Sequence, residues 1–71
     1  MKIGELARRG ATTAKTIRFY EQEGLLPAPA RTQAGYRDYG PKFVDRLEFV
    51  RRAQSAGLSL REVRQVLAIA D

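Results

Sequence analysis

Apolar residues recur at helical spacing in four stretches of the chain, separated by breaks rich in Gly, Pro or Thr. Ile3, Leu6 and Ala7 fall at i, i+3 and i+4, which predicts a short first helix burying one stripe. It should end near Gly10, a residue that tolerates a left-handed cap. Thr12 and Thr13 each offer a hydroxyl to an orphan backbone N–H, so a second helix is predicted from there to about Glu23, with Gly24 as its stop. Ala14 and Ile17 face inward on it, which turns Lys15, Arg18, Phe19 and Gln22 outward or to the flank. Further on, Gly40-Pro41 opens a third helix with Pro in its first turn, where the missing N–H costs nothing. Its buried stripe is Phe43, Val44, Leu47 and Val50, and Gly57 closes it. Ser59-Leu60-Arg61-Glu62 has capping-box spacing and starts a fourth helix, whose apolar face runs through Val63, Val66, Leu67 and Ala70 to Asp71.

Between the second and third helices, Pro27 and Pro29 force an extended path. Gln33-Ala34-Gly35 supplies turn chemistry between two short strands, so residues 30–39 read as a two-stranded wing. The first two helices, joined by about three residues, read as a helix-turn-helix. The fold class is thus mainly α: a winged helix-turn-helix of four helices with a β-hairpin wing. The helix-turn-helix covers about 3–23, and the last two helices about 41–70.

Composition narrows the chemistry. With no Cys and no His among its 71 residues, the chain lacks thiolate and imidazole ligands, a cysteine nucleophile and a His-based acid/base pair. No catalytic or metal-binding residues are assigned. Glu21, Glu23, Asp45 and Glu48 form no persuasive catalytic pair, since each sits among Lys or Arg at spacings where ion pairing suffices. No apolar run approaches the length of a membrane span, and the N-terminus lacks a signal-peptide core, so a cytoplasmic location is expected. Thirteen basic against eight acidic residues leave +5, which favours a polyanionic partner. The surplus is +3 in residues 1–40 and +2 in 41–71, so position rather than bulk charge carries the argument.

Lys15 and Arg18, three residues apart, can reach one DNA groove, where arginine grips guanine bidentately or clasps a phosphate; as a plain alternative they are two solvated cations. Tyr20 can pack its ring inward and offer its hydroxyl to a phosphate. Phe19 reads first as a core residue and second as a contact to a thymine methyl or sugar. Thr13 caps the second helix, whose N-terminus is also a natural phosphate seat. In the wing, Arg37 faces opposite to Tyr36 and Asp38, and Arg31 doubles as an edge-protecting charge. Arg51, Arg52 and Gln54 suit the C-terminal end of the third helix and form a candidate second backbone-contacting surface with the turn that follows.

In their order and spacing, Ile3-Gly4-Glu5-Leu6-Ala7, Thr16-Ile17-Arg18-Phe19-Tyr20-Glu21, Gly24-Leu25-Leu26-Pro27, Arg31, Gly35-Tyr36-Arg37-Asp38-Tyr39 and Gly57-Leu58-Ser59-Leu60-Arg61-Glu62-Val63 resemble the N-terminal DNA-binding domain of the MerR family of bacterial transcription regulators. The resemblance implies that Thr13, Lys15, Arg18, Phe19 and Tyr20 occupy recognition-helix contact positions, and Arg31, Tyr36 and Arg37 wing contacts. It departs at the turn, where Gly10 comes one place early, implying looser or re-angled helix packing. Family members continue into a dimerisation helix and an effector-binding region, both expected to be absent from this chain. Arg52-Ala53-Gln54-Ser55-Ala56-Gly57 is similar to the heavy-metal-sensing branch.

What the resemblance implies for function is a promoter-binding domain that, in a homodimeric parent, binds a palindromic element of double-stranded DNA. There it distorts the promoter spacer so that RNA polymerase engages both promoter elements. The segment itself is expected to be monomeric and to hold no cofactor, the parent's effector being a candidate heavy-metal ion. Two alternatives stand beside this reading: a stand-alone excisionase-like or architectural DNA-binding protein, and a small protein-interaction adaptor.

Overall fold

Three helix endings of one kind steer the chain. In the computed structural model, which describes residues 1–70, α1 (Ile3–Arg9), α2 (Ala14–Gln22) and α3 (Lys42–Ser55) each close with a left-handed residue two places past the last helical one. Those residues are Ala11, Gly24 and Gly57, at φ 54°, 77° and 97°. After each, the next N–H returns to the third-last helical carbonyl: Thr12 to Ala7 at 2.9 Å, Leu25 to Tyr20 at 2.9 Å and Leu58 to Ala53 at 3.1 Å. This is the Schellman arrangement, which satisfies carbonyls that would otherwise lack partners.

The first of these corrects the expectation for Gly10. Its φ is −87°, and the left-handed position falls on Ala11 instead. Gly10 is buried, and a Cβ there would stand 2.7 Å from Leu47 Cδ1, so glycine is required by the close approach of α3. The turn is tight where looser packing was expected. Thr13 is the cap of α2, accepting from the Thr16 amide at 3.1 Å. Thr12 lies one residue too early to cap and lends its backbone N–H to the end of α1.

After Leu25 and Leu26, strands β1 (Ala30–Arg31) and β2 (Arg37–Asp38) pair antiparallel, Ala30 with Asp38 and Arg31 with Arg37. Gly35 takes φ 86° in the connecting turn. The wing base is tied down by Met1, whose carbonyl accepts from the Tyr39 N–H at 2.8 Å. α4 (Leu60–Ala70) starts at the foreseen capping box: the Ser59 N–H donates to Glu62 Oε1 at 2.9 Å and the Glu62 N–H to Ser59 Oγ at 3.1 Å. These bonds lower the Glu62 pKa.

Two apolar clusters carry the fold. Leu6, Ala7, Ile17, Leu26, Tyr39 and Leu47 unite α1, α2, the wing base and α3, while Leu25, Val50, Val63 and Leu67 join α3 to α4. The Tyr20 ring touches both clusters. Val66, expected in the α4 stripe, is largely exposed. Val63 and Leu67, at i and i+4, are the buried α4 residues that meet Val50 and Leu25, with Leu60 packed beside them. Asp71 and the Ala70 side chain lie outside the described residues.

Candidate nucleic-acid interface

The packing of α2 decides which side chains it offers. Ile17 is fully buried and Ala14 half-buried, so Lys15, Arg18 and Gln22 project into solvent along one side. Phe19 is 43% exposed, which corrects its first reading as a core residue. Its position beside Arg18 turns it off the buried stripe, and its ring rests against Tyr20 with centroids 6.0 Å apart. Thr13 is exposed at the start of the same helix, its oxygen engaged in capping. Tyr20 packs inward as expected, but its hydroxyl donates to Gln54 Oε1 at 3.1 Å, which joins α2 to the end of α3.

On the wing, Tyr36 stands 69% exposed. Arg31 and Arg37 are directly paired across the strands, so their side chains rise from the same face of the ribbon. Two like charges opposite one another are unfavourable unless something separates or neutralises them. Here they diverge: Arg31 Nη1 donates to the Gly35 carbonyl at 3.0 Å, while Arg37 Nε turns to Glu21 Oε2 of α2 at 3.5 Å. A cleft of about 300 Å³ lies between α2 and the wing, lined by Glu21, Gln22, Ala28, Pro29, Arg31 and Arg37. A second, of about 310 Å³, flanks the wing, where Lys2, Tyr36 and the same two arginines meet.

The wing and the exposed side of α2 therefore share one side of the molecule. The Tyr39 hydroxyl marks the junction. Burial and its hydrogen bond to Glu21 push its pKa up to about 12, while Arg37 and Arg18 both lie near enough to favour its ionised form. Arg18 is exposed and one helical turn from Gln22 in the cleft wall. Of the sequence-predicted residues, Arg31 and Arg37 line both clefts and Tyr36 the second, while Thr13 at the cap and Lys15, Arg18 and Phe19 on α2 are exposed and Tyr20 is partly buried.

Lys2 and Gln22 line the clefts although neither was singled out as a contact. For Gln22 the signal was present, since it follows Arg18 by four. For Lys2, nothing in the local pattern places it beside the wing. Glu21 and Glu23 were read as pairing along their own helix, but Glu21 meets Arg37 and Glu23 meets Arg64 of α4 at 3.7 Å. Arg51 donates to the Gly10 carbonyl at 3.4 Å and Arg52 pairs with Glu48 at 2.6 Å, which engages both within the fold. Among the described residues no group of three or more His, Cys, Asp or Glu side chains could hold a metal ion, and no helix is long and apolar enough to cross a membrane.

The family described as MerR HTH family regulatory protein matches residues 1–69. The mercuric resistance operon regulatory protein of Bacillus cereus is 46% identical over 70 residues, covering 99% of this chain and 53% of that protein. A crystal structure of a transcription regulator from Ralstonia metallidurans in complex with lead(II) superposes with a TM-score of 0.93 at 44% identity, covering 100% of this chain and 56% of that one. HiNmlR, a MerR family regulator lacking the sensor domain and bound to promoter DNA, superposes with a TM-score of 0.82 at 29% identity, over 92% of this chain and 52% of that one. The chain spans about half the length of the curated relatives it matches.

Proposed function

Because the chain belongs to the MerR HTH family of regulatory proteins, we propose that residues 1–71 are the module with which such a regulator grips promoter DNA, α2 entering the major groove and the wing lying on the adjacent backbone. Arg18 and Lys15 reach base edges, with Phe19 against a sugar or thymine methyl. The amides at the start of α2 beside Thr13 face a phosphate, as helix N-termini do. Arg31, Tyr36 and Arg37 contact phosphates, and Tyr20 holds α2 against the end of α3. The observation that carries this reading is the paired Arg31 and Arg37 lining a cleft whose other wall is α2 at Glu21 and Gln22, one helical turn from the exposed Arg18, so that cations on both elements can meet one polyanion.

In a longer protein, two such modules bind the halves of a palindromic promoter element, and effector binding elsewhere shifts the deformation of the DNA between them so that RNA polymerase engages. The names of the relatives, regulators of mercuric resistance and of heavy-metal response, support a heavy-metal ion as the effector, held outside these residues. On its own the module is monomeric and loses the advantage of linked half-sites. Its place of action is the cytoplasm, where the promoter is.

Duplexes selected from a randomised pool and titrated at rising salt test the reading. Binding should be measurable at low salt and weaken linearly in log–log form, with a slope set by a handful of phosphate contacts. Absent binding at low salt, or binding indifferent to salt, refutes it.

A further inference from the structure

Glu21 is a carboxylate on the helix face turned toward the wing, where a negative charge opposes the polyanion that the surface is read to receive. It nonetheless has two partners. Its side chain is 14% exposed, Oε1 accepts from the Tyr39 hydroxyl at 2.5 Å, and Oε2 faces Arg37 Nε at 3.5 Å. Arg37 and Tyr39 are two residues apart on an extended segment, so strand alternation aims both at α2. The Arg37 Nε is buried and makes no hydrogen bond, so its contact with Glu21 is an ion pair alone, yet 37% of the side chain is exposed. Among the described residues no hydrogen bond engages its Nη atoms. A planar guanidinium whose Nε faces a carboxylate at ion-pair distance has its Nη1–Nη2 edge turned away from that carboxylate, in the fork that matches a phosphate.

We propose that Glu21 is a positioning residue for DNA binding: it orients Arg37 so that its outer edge meets a phosphate, and through Tyr39 it sets the wing against α2. This rests on the DNA-binding reading above and goes beyond it, because it assigns a favourable role to an acidic group. Charge alone predicts the reverse. Glu21→Gln raises the formal net charge from +5 to +6, which by simple attraction tightens binding to a duplex. Loss of pre-orientation instead weakens it, by roughly 3- to 10-fold for one long side chain that must then be immobilised on binding.

The test is a fluorescence-anisotropy titration of a labelled duplex, chosen from the selected pool, with the wild type, Glu21→Gln, Arg37→Ala, the double variant and Arg18→Ala. Glu21→Gln should bind roughly 3- to 10-fold more weakly than wild type, and the double variant no more weakly than Arg37→Ala alone. Gln retains an acceptor for Tyr39, which guards the fold. Arg37→Lys keeps the charge but has no Nε edge, so it too should bind more weakly than wild type whether or not Glu21→Gln folds. Unchanged or tighter binding by Glu21→Gln, additive losses in the double variant, or wild-type affinity in Arg37→Lys overturns the proposal. If the wild type binds no duplex, or Arg18→Ala has no effect, the DNA-binding reading itself fails. If the wild type binds and Arg18→Ala is weakened while Glu21→Gln is not, only the role of Glu21 falls.

Discussion

Tyr39→Phe isolates the link between wing and helix with the least disturbance to packing. Tyr39 is fully buried, and its ring meets Phe43 edge-on with centroids 5.1 Å apart, a contact that Phe preserves. What is lost is the hydroxyl that donates to Glu21 Oε1. A hydrogen bond to a charged group contributes about 1.5–3 kcal/mol, and Glu21, still facing Arg37, keeps part of its compensation, so the variant should be about 2 kcal/mol less stable at neutral pH. For a domain of this size that lowers Tm by roughly 8–16 °C.

The pH dependence probes a related quantity, the cost of ionising this hydroxyl, which burial raises first and the hydrogen bond to Glu21 second. The native pKa of Tyr39 is raised from 10.0 to about 12, so the folded state holds this proton more tightly than the unfolded chain does. The resulting stability is complete below pH 10 and is lost as pH climbs toward 12. At 1.36 kcal/mol per pKa unit it amounts to about 2–3 kcal/mol. Wild type therefore loses stability across that window, the Phe variant has nothing there to lose, and the gap between them narrows. Urea unfolding followed by circular dichroism at neutral and alkaline pH measures both. Equal stability at neutral pH, or a gap that persists unchanged at high pH, refutes the reasoning.

Three further outcomes are expected. Ala11→Gly relieves a left-handed alanine at φ 54° and should raise stability by roughly 0.5–1 kcal/mol after the greater entropy of the unfolded chain is counted, as read by thermal melts. Gly10→Ala places a Cβ 2.7 Å from Leu47 Cδ1 and 3.2 Å from the Leu6 carbonyl oxygen, and should cost about 1–3 kcal/mol in the same assay. In binding selections, Arg18→Ala should weaken affinity and relax base choice at its contact by about 1–3 kcal/mol, whereas Arg37→Ala should lower affinity for all sequences alike; a change of preference from Arg37→Ala alone would reverse those roles.

Much of this was legible in the chain because it depends on local rules. The helix stripes, the Thr13 cap, the Ser59–Glu62 box and the glycine stops at Gly24 and Gly57 are all set by neighbours within four residues. What escaped depends on contacts distant in sequence. Gly10 is demanded by Leu47 on a later helix, and periodicity could not show that the turn conformation had moved to Ala11. Glu21 carried no hint of Arg37 in its helical neighbourhood, although alternation already placed Arg37 and Tyr39 on one side of their strand. The α4 stripe was overdrawn because periodicity marks an apolar face without showing how much of it finds a partner.

The central claim, that the α2 face and the wing receive one stretch of DNA together, is tested most directly by amide chemical-shift mapping with a bound duplex. The largest shifts should gather on residues 13–22 and 31–37, with α4 unmoved. Shifts concentrated on α4 and the outer side of α3, or confined to the wing while α2 stays silent, would contradict it.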